Sequence, residues 1–389
     1  MTERLRIAML YDVPDWTFHS VARNVARVCE GCDVALFGRS DWFARREVVR
    51  RITETADVIV FLWRFDLLAF FDCLDARGWA RMSAPERPAL VTVVYDHLYG
   101  DRAALEAVGD PFVLSDLVCT CSPRLSRAYD GSPDLPAIHA TLPDGVDLSL
   151  FTPGPARVPG GALQVGWVGN SRWGSTMAED LKGRNTVFEP AMRMLQAAGH
   201  AVGARVADAA ETRVPFAEMP EFYRSLDVLV CTSAIEGTPN PVLEAMACGI
   251  PVISTDVGIV PEVFGPLQSG FILEQRSPAA LAGALRRLLR TPEILEDLRQ
   301  ENLARRAALD WSARAPLWDG VFHAALAARR TGSAGAAIAA HRSRARSRIE
   351  RVRRLVATNG WAYAAYETML RRCPGAVRRM KRLLAGGMP

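Results

Sequence analysis

Two apolar runs, "DVLVCTS" (227–233) and "IPVIST" (250–255), are separated by a loop, "AIEGTPN", and one short helical stretch. Rich in Val, Ile and Leu, these runs read as strands buried on both faces. Two such strands joined through a helix pair in parallel by a right-handed crossover. The chain is thereby directed to a doubly wound α/β fold, whose strand-to-helix loops open onto the carboxyl edge of the sheet, where such folds bind ligands. Asn240-Pro241 is a helix-start signal, and Gly249 with Pro251 a stop. The amides of Val242 and Leu243, in the first turn, are expected to form an anion site. Glu236 before the helix and Glu244 within it flank that site.

The same alternation occurs twice. "RIAMLYDV", "CDVALFG", "ADVIVFLW", "ALVTVVYD" and "LVCTCS" make one series, and "LQVGWVGNS", "HAVGARVAD", "DVLVCTS" and "IPVIST" a second. With 389 residues, 49% hydrophobic, the chain is long enough for two cores. The Pro- and Gly-rich "DGVDLSLFTPGPARVPGG" reads as a linker held by few contacts, and "RRTGSAGAAIAAHRSR" as a second, flexible one. The expected organisation is residues 1–155 and 156–330 as two Rossmann-like domains, with 331–389 as a basic helical tail.

Charge concentrates in that tail. From Arg342 to Arg382 there are 13 Lys/Arg against two Glu, leaving −7 on the remainder of a chain whose net charge is +4. Interleaved with Trp361, Tyr363 and Tyr366, this pattern suits an anionic membrane surface, with an inter-domain helix pair as the alternative and nucleic acid disfavoured. The most apolar window, "ADVIVFLWRFDLLAFF", is broken by Arg64 and Asp66 and is too short to span a bilayer. No signal peptide is read at the start of the chain. Cys29-Glu-Gly-Cys32 has metal-like spacing but no second pair or nearby histidine, and reads as a helix end turning into a strand.

The segment "EGTPNPVLEAMACGIPVISTDVGIVPE" closely resembles the donor-site signature of the GT-B retaining glycosyltransferases of family 4, in which two glutamates are separated by seven residues, as Glu236 and Glu244 are here. "LPDGVDLSLFTP", "VGWVGN...LKGRNTVFEPAMRML" and "VPFAEMPEFYRSLDVLVCTS" fit the same family in the same order, over about Leu142 to Gly270. The resemblance implies a GT-B fold: two Rossmann-like doubly wound parallel-sheet domains facing a cleft, with transfer from a nucleotide diphosphate sugar, retention at the anomeric carbon, no bound metal and no cofactor. It assigns Glu236, Arg172 and Lys182 to catalysis. Gly169, Gly237, Thr238, Asn240, Val242, Leu243 and Glu244 fall to donor binding, with Glu236 on the sugar and Glu244 on the ribose hydroxyls. A diphosphate leaving group needs charge stabilisation, and fixed cations and amides supply it where no Asp-x-Asp follows a strand to hold a metal. The sequence departs from the pattern at Pro239, which has no amide, and at Ile259, where a second glycine often stands.

The first domain is expected to take the acceptor. The family's Gly-Gly loop is replaced by "YDVPDWTFHS", which puts Trp16 and His19 at a strand end, and "VVYDHLYGD" has Tyr95 in place of a histidine, followed by Asp96 and His97. The leading reading is a cytoplasmic, membrane-peripheral transferase acting on a glycan or lipid-linked acceptor. A sugar-nucleotide epimerase, or a non-catalytic sugar-nucleotide or glycan-binding protein on the same scaffold, stays open as an alternative.

Overall fold

The computed structural model describes residues 4–95, 111–131, 135–155, 161–173, 180–331 and 334–343. Six strands, β1 (Leu5–Tyr11), β2 (Cys32–Gly38), β3 (Val58–Phe61), β4 (Ala89–Val94), β5 (Leu117–Thr120) and β6 (Ala140–Thr141), pair in the order β2-β1-β3-β4-β5-β6. Five more, β7 (Leu163–Gly169), β8 (Val202–Asp208), β9 (Val228–Cys231), β10 (Val252–Thr255) and β11 (Ile272–Leu273), pair in the order β11-β10-β9-β7-β8. Every pairing is parallel. The strand order reverses between β1 and β3 in the first sheet and between β7 and β9 in the second, and a crevice opens at the carboxyl edge at each such point. Both faces of each sheet are covered, as the unbroken apolar strands require.

The signature helix runs Asn240–Ala247 and ends as its sequence indicates. Gly249 takes φ +76, its amide donates to Met246 O (2.9 Å), and the Ile250 amide donates to Ala245 O (2.9 Å). This paired closure leaves the chain turned directly into β10.

Three findings differ from the sequence reading. The passage after Leu142 is firmly held: Phe151 is buried, Val146 bridges to Asp310, and Arg306 donates to Leu148 O (2.7 Å) and Phe151 O (3.0 Å). Gly145 is required there, since a Cβ would press on the Trp311 backbone. The second difference is the path of the chain beyond Leu309. It returns alongside the first passage, and the helix Ala315–Thr331 lays Trp318, Val321, Phe322 and Ala325 on the first sheet against Val21, Val25 and Val91, although the sequence division gave these residues to the second domain. Finally, the "RRTGSAGAAIAAHRSR" segment is helical wherever it is described, and Ile338 is buried against Phe71 and Leu90. Its alanines favour helix more than its Gly and Ser oppose it.

The tail from 344 onward, with Trp361, Tyr363 and Tyr366, lies outside the described residues, as do Asp96 and His97. Among the described residues no helix is long and apolar enough to cross a membrane.

Candidate active site

The loops after β7 and β9 meet at the reversal point of the second sheet. Asp180 accepts the amides of Gly183 (2.8 Å), Asn185 (2.8 Å) and Thr186 (2.9 Å), which fixes the turn that carries Lys182. Gly183 adopts φ +73 and lies so close to the Thr232 carbonyl that a Cβ would collide with it. The chain then enters a π-type turn, Arg184–Phe188, before the helix Glu189–Ala197. Such turns are frequent at functional sites. Across the crevice, Thr232 Oγ1 donates to Lys182 O (2.8 Å), and Arg276 donates to Thr232 O (2.8 Å) and to Asp180 O. One arginine thus ties the two loops together.

Lys182 reaches out of this turn to Glu236, Nζ to Oε1 at 2.5 Å, and the Ser233 hydroxyl donates to the same oxygen at 2.7 Å. The ammonium also lies 4.9 Å from the Trp173 ring centroid. The two charged side chains are only 18% and 15% exposed, so Glu236 is more enclosed than an open loop position would be. Eight residues on, Glu244 accepts from the Tyr223 hydroxyl (2.6 Å), and burial raises its carboxyl to about 7 against the opposing pull of that bond. Glu244 therefore titrates near neutrality until hydroxyl donors or solvent reach it.

The helix amides are arranged differently from the expectation. Pro239, not Asn240, is the cap residue, and no side chain caps the helix. Asn240 N donates to Thr238 O (3.0 Å) and Val242 N to Pro239 O (2.8 Å), so the Val242 amide is already paired. The side chains of Val242 and Leu243 are fully buried in the second core. Gly169 ends β7, and its carbonyl accepts from Ala209 N (2.8 Å). Arg172 is exposed just beyond it, its amide bound to Asn170 Oδ1 (3.0 Å).

The first domain closes over this loop. A Cβ on Gly237 would collide with Tyr95 O and Cys121 Sγ, Thr238 Oγ1 donates to Cys121 O (3.3 Å), and Arg124 pairs with Asp256. The carboxyl edges of the two sheets therefore face each other across one cleft. On the acceptor side Trp16 is 44% exposed, at the start of the helix Thr17–Val28. His19 stacks on Tyr11 (4.4 Å), and its Nδ1 accepts the Asp15 amide (2.9 Å). Burial, with Arg23 nearby, lowers its pKa, which favours the neutral ring. Arg39, at the end of β2, pairs with Asp66, which is wholly buried and raised to about 7 mainly by burial. The sequence reading missed this pair. Its signal was the break at Arg64 and Asp66 in the most apolar window, since charge in such a run marks a buried polar site as readily as it excludes a membrane span.

Cys29 and Cys32 do not behave as a reactive pair. Burial, with Asp319 beside them, pushes their thiols up to about 12 and about 11. Among the described residues no three His, Cys, Asp or Glu side chains gather as a metal would require.

Residues 212–305, from the segment before β9 through the signature and beyond, match the family described as glycosyl transferases group 1. That stretch is similar to the group 1 glycosyltransferases. Similar proteins include a D-inositol 3-phosphate glycosyltransferase of Acidothermus cellulolyticus, 32% identical over 31% of this chain and 27% of that protein. A putative teichuronic acid biosynthesis glycosyltransferase of Bacillus subtilis is 34% identical over 28% of this chain and 27% of its own. The chain thus spans about a quarter of the length of these curated relatives in the matched stretches. Among solved structures, a sucrose-phosphate synthase from Thermosynechococcus elongatus superposes with a TM-score of 0.61 at 17% identity, covering 84% of this chain and all of that one. Anabaena HepE, solved in complex with UDP and glucose, gives 0.61 at 13% identity over 82% of this chain and 100% of its own. At such identities the likeness concerns the fold. The chain has the GT-B arrangement of two facing parallel-sheet domains.

Proposed function

We propose that the protein moves a sugar from a nucleotide diphosphate sugar to a glycan or lipid-linked acceptor, with retention at the anomeric carbon and without a metal. The observation that carries this reading is the Lys182–Glu236 pair at the reversal point of the second sheet, whose glutamate lies inside the stretch matched to the group 1 family. An ammonium held by a carboxylate and two fixed loops is a preorganised cation that can exchange its partner for a diphosphate. When it does, Glu236 is released to accept hydrogen bonds from sugar hydroxyls, still oriented by Ser233. Glu244 takes the ribose hydroxyls in place of, or beside, Tyr223. Arg172 adds a second cation to the leaving diphosphate. Because the Val242 amide is paired, the charge that develops as the glycosidic bond breaks falls mainly on these two side chains. The acceptor hydroxyl enters from the first domain, over Trp16 and His19.

The reading is tested by calorimetric titration with UDP-, GDP- and ADP-sugars, which requires no knowledge of the acceptor. One series is expected to bind, with affinity unchanged in excess EDTA. Binding that collapses in EDTA and returns with manganese would overturn the metal-free mechanism, and binding by none of the three would remove the donor assignment.

A lysine addresses phosphate as a point charge, so Lys182→Ala is expected to weaken the nucleoside diphosphate by about ten- to a hundredfold, the range of a charge-assisted hydrogen bond, while leaving the nucleoside within about threefold. Equal losses for both ligands would place the ammonium away from the phosphates.

A further inference from the structure

The turn that carries Lys182 is held along its backbone from across the crevice. Three successive carbonyls each accept a bond from the far side: Asp180 O from the Arg276 guanidinium, Leu181 O from the Ala234 amide (2.8 Å), and Lys182 O from the Thr232 hydroxyl (2.8 Å). Thr232 is 1% exposed, and the Trp167 indole donates to its hydroxyl oxygen (3.2 Å), which leaves the hydroxyl proton for Lys182 O.

Two of these donors, Ala234 and Thr232, belong to the segment that follows β9. Arg276 comes from elsewhere. It follows β11, the edge strand of the sheet, and precedes Ser277, whose hydroxyl caps the helix Pro278–Arg290 by accepting the Ala280 amide (3.2 Å). From this anchored position the exposed side chain reaches the crevice, where Nε donates to Thr232 O (2.8 Å) and Nη2 to Asp180 O. One planar fork thereby sets the spacing of two loops, a task that suits a guanidinium and not the single point charge of an ammonium.

We propose that Arg276 is a positioning residue for the donor phosphates: by fixing the Lys182 turn against the end of β9, it presets the Lys182 ammonium where the diphosphate binds. The inference rests on the reading of Lys182 as the diphosphate cation given under the proposed function. In this role Arg276 touches no substrate. Its bonds end on backbone, at Asp180 two residues before Lys182 and at Thr232 four residues before Glu236, so both ends of the Lys182–Glu236 pair are referred to one guanidinium. A cation held in place before the ligand arrives loses less freedom on binding it. Without Arg276, Asp180 O keeps the Gly183 amide (3.1 Å) but loses its tie to the segment after β11, and the ammonium is presented over a wider range of positions.

The test uses the full chain. Affinities for UDP, GDP and ADP, each against its own nucleoside, are measured for the wild type, Arg276→Ala, Lys182→Ala and the double variant. Arg276→Ala is expected to weaken the diphosphate by about tenfold, a coupling common within one hydrogen-bonded network, and to change the nucleoside by less than about twofold. In the Lys182→Ala background, where no ammonium remains to be positioned, Arg276→Ala is expected to cost less than about twofold more. Losses that multiply in the double variant mean that Arg276 meets the ligand itself or supports the fold at large, and overturn the proposal. If Arg276→Ala does not fold, Arg276→Gln, which can bond one of the two carbonyls but not both, carries the same comparison.

A second measurement needs no nucleotide. Lys182 and Lys381 are the only lysines in the sequence, so acetylation by an amine-reactive ester, followed by mass spectrometry well below the melting temperature, reads Lys182 with Lys381 as the internal reference. The rate at Lys182 relative to Lys381 is expected to rise at least about threefold in Arg276→Ala, as local opening of the turn frees the ammonium from Glu236. An unchanged ratio overturns the proposal, because a residue of purely global structural effect leaves the native-state reactivity of Lys182 where it was. If none of the three diphosphates binds the wild type, the donor reading fails, and the acetylation ratio alone decides whether Arg276 holds Lys182 in place.

Discussion

Glu236→Gln is expected to lower transfer by at least about a hundredfold, the order of loss seen when one preorganised polar contact to a transition state is removed. The substitution keeps the shape of the side chain and its bond from Ser233, but it removes the charge that holds Lys182 at 2.5 Å and the strong acceptor for sugar hydroxyls. Because both partners are more than four-fifths enclosed, the change also has a folding cost. An ammonium left with a neutral partner loses about 1–3 kcal/mol of charge-assisted hydrogen bonding, a few degrees on the melting transition of a domain this size. The two effects separate in the double variant Lys182→Met with Glu236→Gln. Its melting temperature is expected to recover, since no lone charge remains, while transfer stays low. Initial rates and melting curves on the three variants make the comparison. If transfer in Glu236→Gln stays within threefold of wild type, or returns with melting temperature in the double variant, Glu236 is structural and its catalytic role is lost.

What the sequence disclosed, and what it withheld, follows from how local each signal is. The apolar runs, the Gly and Pro stops and the spacing of the two glutamates are properties of neighbouring residues, and they led to the two parallel sheets, the signature helix with its Gly249 closure, and the carboxyl-edge position of Glu236 and Glu244. The Lys182–Glu236 contact joins residues far apart in sequence, and only the family resemblance had put them at one site. Three features could not be read. Whether the first-turn amides are free depends on how Pro239 and Asn240 fold the preceding turn, and here the Pro239 carbonyl takes the Val242 amide. Asn240 has the composition of a helix cap, yet Pro239 takes the cap position and no side chain caps the helix. Which sheet a helix covers is not encoded in its amphipathic pattern at all. That is why Trp318 and Phe322 were placed in one domain by sequence order and pack on the other.

This crossing of the C-terminal helix leads to the second large expected effect. Trp318→Ala is expected to destabilise the first domain by about 3–5 kcal/mol, the usual loss for truncating a buried Trp or Phe, and to lower the first melting transition by about 10 °C. Trp318 is wholly buried between the sheet residues of the first core and Phe322, whose ring centroid is 6.0 Å away. Its indole nitrogen is buried with no acceptor among the described residues, so the ring contributes by volume and not by a hydrogen bond. Trp318→Phe is accordingly expected to cost much less than Trp318→Ala, about 1–2 kcal/mol, as a partial loss of volume. The effect should not stay in the first domain. The two passages between domains run side by side through the Val146–Asp310 bridge and the packing of Gly145 on Trp311, a few residues before Trp318. Loosening the helix therefore loosens the hinge, and protease cutting near residues 305–315 is expected to appear in Trp318→Ala well below its melting temperature. Cutting that remains at the wild-type level while the first transition falls would mean that the helix stabilises the first domain without controlling the hinge. A drop in melting temperature equal for Ala and Phe would instead assign the indole nitrogen a partner and remove the volume argument.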